Sequence, residues 1–345
     1  MLDLTNREQM IQYLLDKGII NEKDGYSAEY CKGGISCITA LVEVPGKTML
    51  IKQGREKLAV KEDWRADPAR LAIETKATIV YNQIVPESAP NVLSYDSENF
   101  VMIRDAAPAD CSMWKSDIMN GIFDFEVARK TMEALAKVHN RCHMDSKLAE
   151  KFKDTSIFYQ LRISPLIEFV VEKYPDLAEI GGRLKKRLLE TKTNLVHADY
   201  TPKNILVKKD RSICILDYEI SHFGDPAYDL GLFTAHIVLK SAYLEKYSAA
   251  VLNMLVHMTD TYFSTMNYSD PVKLEESCME ILGMMMIARI DSKSPVEYIT
   301  CDNTKQLVRN MAKRLLSGEV KTYRQAAAVF LEMEKNAGNS GCIIL

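Results

Sequence analysis

What most constrains the fold of this chain is the place where its hydrophobic period changes. Up to about residue 104, apolar residues come in short runs between turn signals. "YCKGGISCITALVEVPGKTMLIKQG" reads as strand, glycine turn, strand, Pro45-Gly46 turn, strand. "NVLSYDSENFVMIRDAA" reads as a further hairpin with an exit segment near Arg104. Two helices break this pattern. The first follows Thr5-Asn6-Arg7-Glu8, read as a capping box, and sets Met10, Ile11, Leu14 and Leu15 at helical spacing. The second runs from about Pro68 to Val85, with Leu71, Thr75, Thr78 and Ile79 sharing a face. Beyond "DCSMWKSDIMNG" the spacing turns helical. "FEVARKTMEALAKVHNRC" puts Val127, Met132, Leu135, Ala136 and His139 on one stripe. The stretch 155–192 is helical with basic residues in its last turns, and 225–336 is helix after helix with breaks near Ser269 and Ser294. The sequence therefore predicts an α+β, bilobal chain. A small β-rich lobe covers 1–104, a large helical lobe covers 105–345, and a cleft is expected at the Arg104 to Asp110 junction.

Composition removes several classes. The 345 residues carry a net charge of −3, so no basic field points to nucleic acid or to a membrane surface. No apolar run reaches the roughly 18 residues a spanning helix needs. "MLDLTNREQM" does not read as a signal peptide, and a cytoplasmic location is the expectation. Eight scattered cysteines form no CxxC pair, which argues against zinc and for reduced thiols. The tail Cys342-Ile343-Ile344-Leu345 fits a C-a-a-X prenylation signal, read only in a eukaryotic setting. It lacks an upstream basic patch, and a chance tail is the other reading.

The chemistry concentrates in "LVHADYTPKNILV", Leu195 to Val207, and "ICILDYE", Ile213 to Glu219. Taken singly, Asp199, Asn204 and Asp217 are turn residues at strand ends. The segment between Asn204 and Asp217 reads as a hairpin, and a hairpin returns the chain to its start. The three then read as one cluster of hard oxygen ligands suited to Mg²⁺. Phosphoryl transfer uses such a set: one carboxylate to orient and deprotonate a hydroxyl, an Asn and a second Asp to hold metal. Upstream, Gly33, Gly34 and Ser36 lie between strands, where backbone N–H groups can cover phosphates. Lys52 ends the apolar strand "TMLI" and suits phosphate contact. Glu74, on the following helix, suits an ion pair with that lysine.

These residues carry a resemblance. "HADYTPKNILV…ILDYE" resembles the catalytic segment of the aminoglycoside phosphotransferase and choline kinase superfamily, a branch of the protein-kinase-like fold. His197, Asp199 and Asn204 fit H-x-D-x-x-x-x-N, and Asp217-Tyr218-Glu219 has the D-x-E form in place of D-F-G. "GDPAYDLGLF", with Asp225 and Asp229, is also similar. Within the superfamily the N-terminal half resembles methylthioribose kinase, through "IKQ" at Ile51 to Gln53, Trp64, and "RLAIE" at Arg70 to Glu74. "ARIDSKSPVEYI", Ala288 to Ile299, has a similar place and rhythm to that family's late helices. The sequence departs from that family at Asn204 (Ser there), at Tyr218 (Pro there) and at Met284-Met285-Met286 with a single Arg289, where that family carries an arginine pair.

The resemblance implies a bilobal protein-kinase-like fold and an ATP-dependent kinase acting on a hydroxyl of a small molecule. Adenine is expected against backbone groups near Met102 to Arg104. Lys52 grips phosphate and Glu74 aligns it. Asn204 and Asp217 hold Mg²⁺, Glu219 holds a second ion or supports the site, and Asp199 is the base. His197, Asp225 and Asp229 are read as braces, and the Met284 to Met286 run as core. A sugar or modified pentose is the first acceptor reading. An aminoglycoside or choline-like amine is the second, with Glu275, Glu276, Glu280 and Asp291 as candidate acidic groups. A catalytically silent nucleotide-binding regulator is the reading from another class. Methylthioribose kinases also suggest a homodimer.

Overall fold

The computed structural model describes residues 2–23, 25–31, 37–56 and 67–338. The expectations at Gly33, Gly34, Ser36, Trp64 and Cys342 fall outside those residues. The chain forms two compact units. The first is Met1–Ala109 together with Leu216–Ile220, and the second is Asp110–Ile215 with Ser221–Leu345.

The first unit opens with α1 (Arg7–Asp16). Asn6, not Thr5, caps it, its side chain accepting from the N–H groups of Glu8 and Gln9. The Thr5 hydroxyl is instead spent on Asp3 at 2.7 Å. Five antiparallel strands follow in the order β1-β2-β3-β5-β4: β1 (Ser27–Tyr30), β2 (Cys37–Val44), β3 (Lys47–Gly54), β4 (Val92–Asp96) and β5 (Val101–Asp105). The β2–β3 turn is the expected Pro45-Gly46 pair, and Gly46 supplies the φ of +78° that few other residues adopt. Between β3 and β4 lies α2 (Arg70–Ile84). Its buried stripe is Leu71, Glu74, Thr75, Thr78 and Tyr81, whereas Ile79 is exposed. Ile79 falls off the stripe because positions 74, 78 and 81 continue at helical spacing and 79 does not. Leu14, Ile51 and Val101 anchor one apolar cluster, and Cys37, Leu71 and Met102 form another.

In the second unit β6 (Ser112–Met113) precedes α3 (Trp114–Met119), α4 (Phe125–Cys142) and α5 (Ser146–Lys151). The expected 155–192 helix is interrupted. It comprises α6 (Ser156–Phe158), a π-helical stretch Tyr159–Glu168, α7 (Phe169–Lys173) and α8 (Ala178–Glu190). Pro165 lies within the π-helical stretch and has no N–H to give the ladder, so the turn widens there. Four short strands follow: β7 (Asn194–Val196), β8 (Ile205–Val207), β9 (Ile213–Ile215) and β10 (His222–Gly224). β8 and β9 form the expected hairpin, Ile205 opposite Ile215, and β7 pairs with β10.

The helical remainder is α9 (Ala227–Tyr243), α10 (Ser248–Thr265), α11 (Pro271–Asp291), α12 (Asp302–Leu316) and α13 (Tyr323–Gly338). α9 is buried nearly all round, and α11 packs on it. Gly231 makes this possible: a Cβ there would lie 2.5 Å from the Ile281 side chain of α11. Met284, Met285 and Met286 are fully buried in α11, as core residues should be. No helix among the described residues is long and apolar enough to cross a membrane.

Candidate active site

In the first unit the chemistry gathers around Lys52. Its position on β3, opposite Thr39 of β2 and Met102 of β5, puts the ammonium inside the unit. Nζ lies 2.8 and 2.7 Å from the two Glu74 carboxylate oxygens and 3.0 Å from Asp217 Oδ1. Burial works against the charge of Lys52, but Asp217 and Glu74 outweigh it and hold its pKa well above the usual lysine range. Asp217 is different in kind: its side chain is half exposed, and its φ of +62° is a strained value for a residue with a Cβ. The next residue fixes this turn. Tyr218 is buried, with its ring 4.7 Å from that of Tyr81 on α2.

Glu219 Oε2 accepts from Arg70 Nε at 3.1 Å and lies 4.0 Å from Cys37 Sγ. Cys37, Glu74 and Glu219 could geometrically surround an ion. Burial pushes the Cys37 thiol up to about 12. Glu219 is ion-paired with Arg70 in this corner.

Met102 and Arg104 lie inside β5, which has a strand on each side. Met102 faces Lys52 and Tyr95 in register, and Arg104 faces Leu50 and Val92. The strand runs one residue beyond the expected exit at Arg104. Even Asp105 and Ala106 give their N–H groups to Asn91 and Thr48. The sheet pairing thus continues past Arg104 to Asp105.

In the second unit Asp199 sits on a loop whose shape is imposed from below. Asp229, on the first turn of α9, is fully buried and accepts the N–H groups of both His197 and Ala198 at 2.8 Å. Ala198 takes φ +62°, which two bonds to one carboxylate sustain. His197 Nδ1 accepts the Asp199 N–H at 3.2 Å, a bracing contact. Asp225 accepts from Ala227 N at 2.9 Å and pairs with Arg187 at 2.9 Å, so it supports the start of α9.

The Asp199 carboxylate is crowded by donors. Asn204 Nδ2 gives to Oδ2 at 2.8 Å and to the Asp199 carbonyl at 2.9 Å. Lys203 Nζ lies 3.1 Å from Oδ2, and Arg162 Nη2 lies 2.6 Å from Oδ1. Arg162 comes from the π-helical stretch and also bonds the Ala198 carbonyl at 3.0 Å. Burial alone would raise the Asp199 pKa. Arg162, Lys203 and Arg289 outweigh that and hold the carboxyl far below the usual range.

The structure thus brings together Lys52, Glu74 and Asp217 in the first unit, and Asp199 with Asn204 in the second. Sequence reasoning gave no role to Arg162 or Lys203 at Asp199, or to Arg70 as the partner of Glu219. Arg70 had a signal, since it stands four residues before Glu74 on one helix face. Lys203 adjoins Asn204, so proximity in the chain pointed to it. Nothing in the local spacing points to Arg162.

Comparison with known proteins agrees with this picture. Residues 124–258 match the family model described as "Phosphotransferase enzyme family". Methylthioribose kinase of Bacillus cereus (strain B4264) is 22% identical over 281 residues, covering 73% of this chain and 70% of that protein. Among solved structures, the Plasmodium vivax ethanolamine kinase superposes with a TM-score of 0.55 at 12% identity, covering 96% of this chain and 89% of that one. A choline/ethanolamine kinase family protein from Mesorhizobium loti gives 0.51 at 17% identity, covering 94% and 99%. These structures establish the kinase-like fold: an antiparallel sheet followed by a largely helical region. Over residues 124–258 the chain is therefore similar to the phosphotransferase enzyme family, and over most of its length it is distantly similar to methylthioribose kinase.

Proposed function

We propose that this enzyme transfers the γ-phosphate of ATP to a hydroxyl of a small, sugar-like molecule. The observation that carries the reading is the setting of Asp199: a buried carboxylate held ionised and oriented by Arg162, Lys203 and Asn204. So acidic a carboxyl is a weak base toward a free alcohol. It suits a loose phosphoryl transfer, in which the carboxylate orients the hydroxyl and takes its proton late. Lys52, aligned by Glu74, is the phosphate contact. Adenine recognition by backbone groups falls to the residues just after Ala106.

Asn204 and Asp217 are the proposed Mg²⁺ ligands. What supports this is the chemistry of each side chain: Asn204 spends its Nδ2 on Asp199, leaving the amide oxygen for a cation, and the Asp217 carboxylate is half open to solvent. Bound there, Mg²⁺ would neutralise phosphate charge.

The amine alternative needs an acidic acceptor pocket, and the acids offered for it are spent on structure. Asp291 is paired to Arg309 and Lys173, Glu280 to Arg183 and Arg187, and Glu275 accepts the Tyr323 N–H. Glu276 is on the surface, 3.8 Å from Lys321. This favours a sugar-like acceptor over a cationic amine. The test is an ADP-release screen over methylthioribose, other pentoses, aminoglycosides and amino alcohols, run with wild type and Asp199→Asn. Acceptor-dependent ADP release that collapses in the variant is expected. Release that survives the substitution would refute the assignment, and nucleotide binding without release on any acceptor would favour the silent regulator.

A further inference from the structure

Four side chains of the second unit, two buried and two half-buried, have no substrate contact in the reading above. His236 and Lys240 stand one turn apart on α9, Arg289 lies near the end of α11, and Tyr298 lies in the loop that follows. Lys240 is 1% exposed, yet its Nζ reaches only the His236 carbonyl at 3.2 Å and the face of the Tyr298 ring at 5.7 Å. Among the described residues no carboxylate lies within 4.0 Å of it. Arg289 is 8% exposed and spends Nη1 on the Ser294 carbonyl and hydroxyl, both at 3.0 Å. Its Nε is buried without a hydrogen-bond partner, and so are His236 Nε2 and the Tyr298 hydroxyl.

The neighbouring acids are already committed. Asp199 is engaged by Arg162 and Lys203, and Glu297 is paired to Lys115. Leaving Lys240 buried without a paired anion and Arg289 with its Nε unmatched, beside two further unmatched polar atoms, costs free energy that a mere packing role would not require. Arg289 lies within the electrostatic reach of Asp199, Arg162 and Tyr298, which puts the group beside the reacting carboxylate.

We propose that Arg289, Lys240, His236 and Tyr298 receive a carboxylate or phosphate of the acceptor, so that the acceptor is a small hydroxylated anion. This rests on the phosphotransferase reading and narrows its substrate class. A guanidinium with a free Nε and an ammonium are the groups that hold such an oxyanion most strongly. An amine would be repelled, and a neutral sugar would leave both cations unmatched. In the reaction the acceptor hydroxyl oxygen bonds the γ-phosphorus and the bond to the ADP oxygen breaks. The hydroxyl proton passes to Asp199, and the anionic group is an anchor that does not change. Burial, with repulsion from Lys115, pushes the Lys240 ammonium down to about 7, so part of its charge is there to be restored by an arriving anion.

The test has a binding arm and a turnover arm, each on the full chain. Without nucleotide, calorimetry measures binding of inorganic phosphate, D-gluconate, ribose 5-phosphate and neutral ribose. The proteins are wild type, Arg289→Met, Arg289→Lys and Lys240→Met, each checked for folding by circular dichroism. Binding of the anions in preference to ribose is expected, weakened at least tenfold in Arg289→Met and partly restored in Arg289→Lys. In turnover, an anionic acceptor should show a kcat/KM at least tenfold above its neutral counterpart. Arg289→Met should raise the acceptor KM while moving the ATP KM less than twofold.

Anion binding unchanged in folded Arg289→Met would overturn the proposal. So would a loss confined to the ATP KM, which would assign the cluster to the donor's phosphate. If ADP is released only with neutral or amine acceptors, the anion assignment falls and the kinase reading stands. If the anions bind through Arg289 and no acceptor yields ADP, the kinase reading falls and takes the acceptor assignment with it.

Discussion

Asp199 is the clearest case of a side chain whose chemistry is set by its neighbours. Its charge is held by Arg162 and Lys203, and its loop is held by Asp229. Asp199→Asn is expected to lower kcat by about 10³ or more, in line with loss of a positioned acid–base group. ATP affinity should stay within about twofold, read by calorimetry beside rapid-quench kinetics. The Lys240 substitution has a signature in stability. Folding lowers the pKa of this buried lysine from its usual 10.5 to about 7. Between those values the unfolded chain binds a proton that the folded chain lacks, so stability rises with pH across the window and the cost is full below it. Lys240→Met should remove that rise and raise stability near neutral pH, by on the order of 5 kcal/mol. Urea denaturation of both proteins from pH 6 to 10 checks it. At this scale the sequence exposed what is local. Asp199 and Asn204 are five residues apart and their contact follows from that spacing, whereas Arg162 and Arg289 reach the site from helices whose packing no spacing rule contains.

At the scale of elements, the alternation of strand and helix was readable because apolar periods of two and of 3.6 differ plainly. Ends and faces were harder. The α1 cap moved from Thr5 to Asn6 because Thr5 had a nearer acceptor in Asp3. β5 ran past Arg104 because Met49 of β3 still had a partner to pair, and it took Asp105. The stretch around Pro165 was read as helix, and the structure keeps a helix there at the expense of its ordinary ladder. That widened turn carries Arg162 to the Ala198 carbonyl and to Asp199. The α9–α11 contact depends on a missing side chain. Gly231→Ala would place a carbon 2.5 Å from Ile281, so it should cost about 1–3 kcal/mol in urea denaturation. A cost near zero would mean that α11 shifts freely.

At the scale of the whole molecule, the chain divides into two compact units, and its bulk composition offered no signal that points to a partner class. Binding is expected to raise apparent stability. ATP with Mg²⁺ at a hundredfold excess over Kd should add about 2.7 kcal/mol to the unit that binds it. Thermal-shift measurements should show the gain in wild type and lose most of it in Lys52→Met. An equal gain in that variant would remove Lys52 from the nucleotide site.

The cations around Asp199 also outlast it. Replace that one acid by a neutral amide and Arg162, Lys203 and Arg289 remain, now facing an uncompensated positive hollow. The Asp199→Asn variant should therefore clasp an anionic partner more firmly than the wild type. It becomes the natural bait: incubated with a metabolite extract, washed and denatured, the inert protein should surrender its true companion to a mass spectrometer.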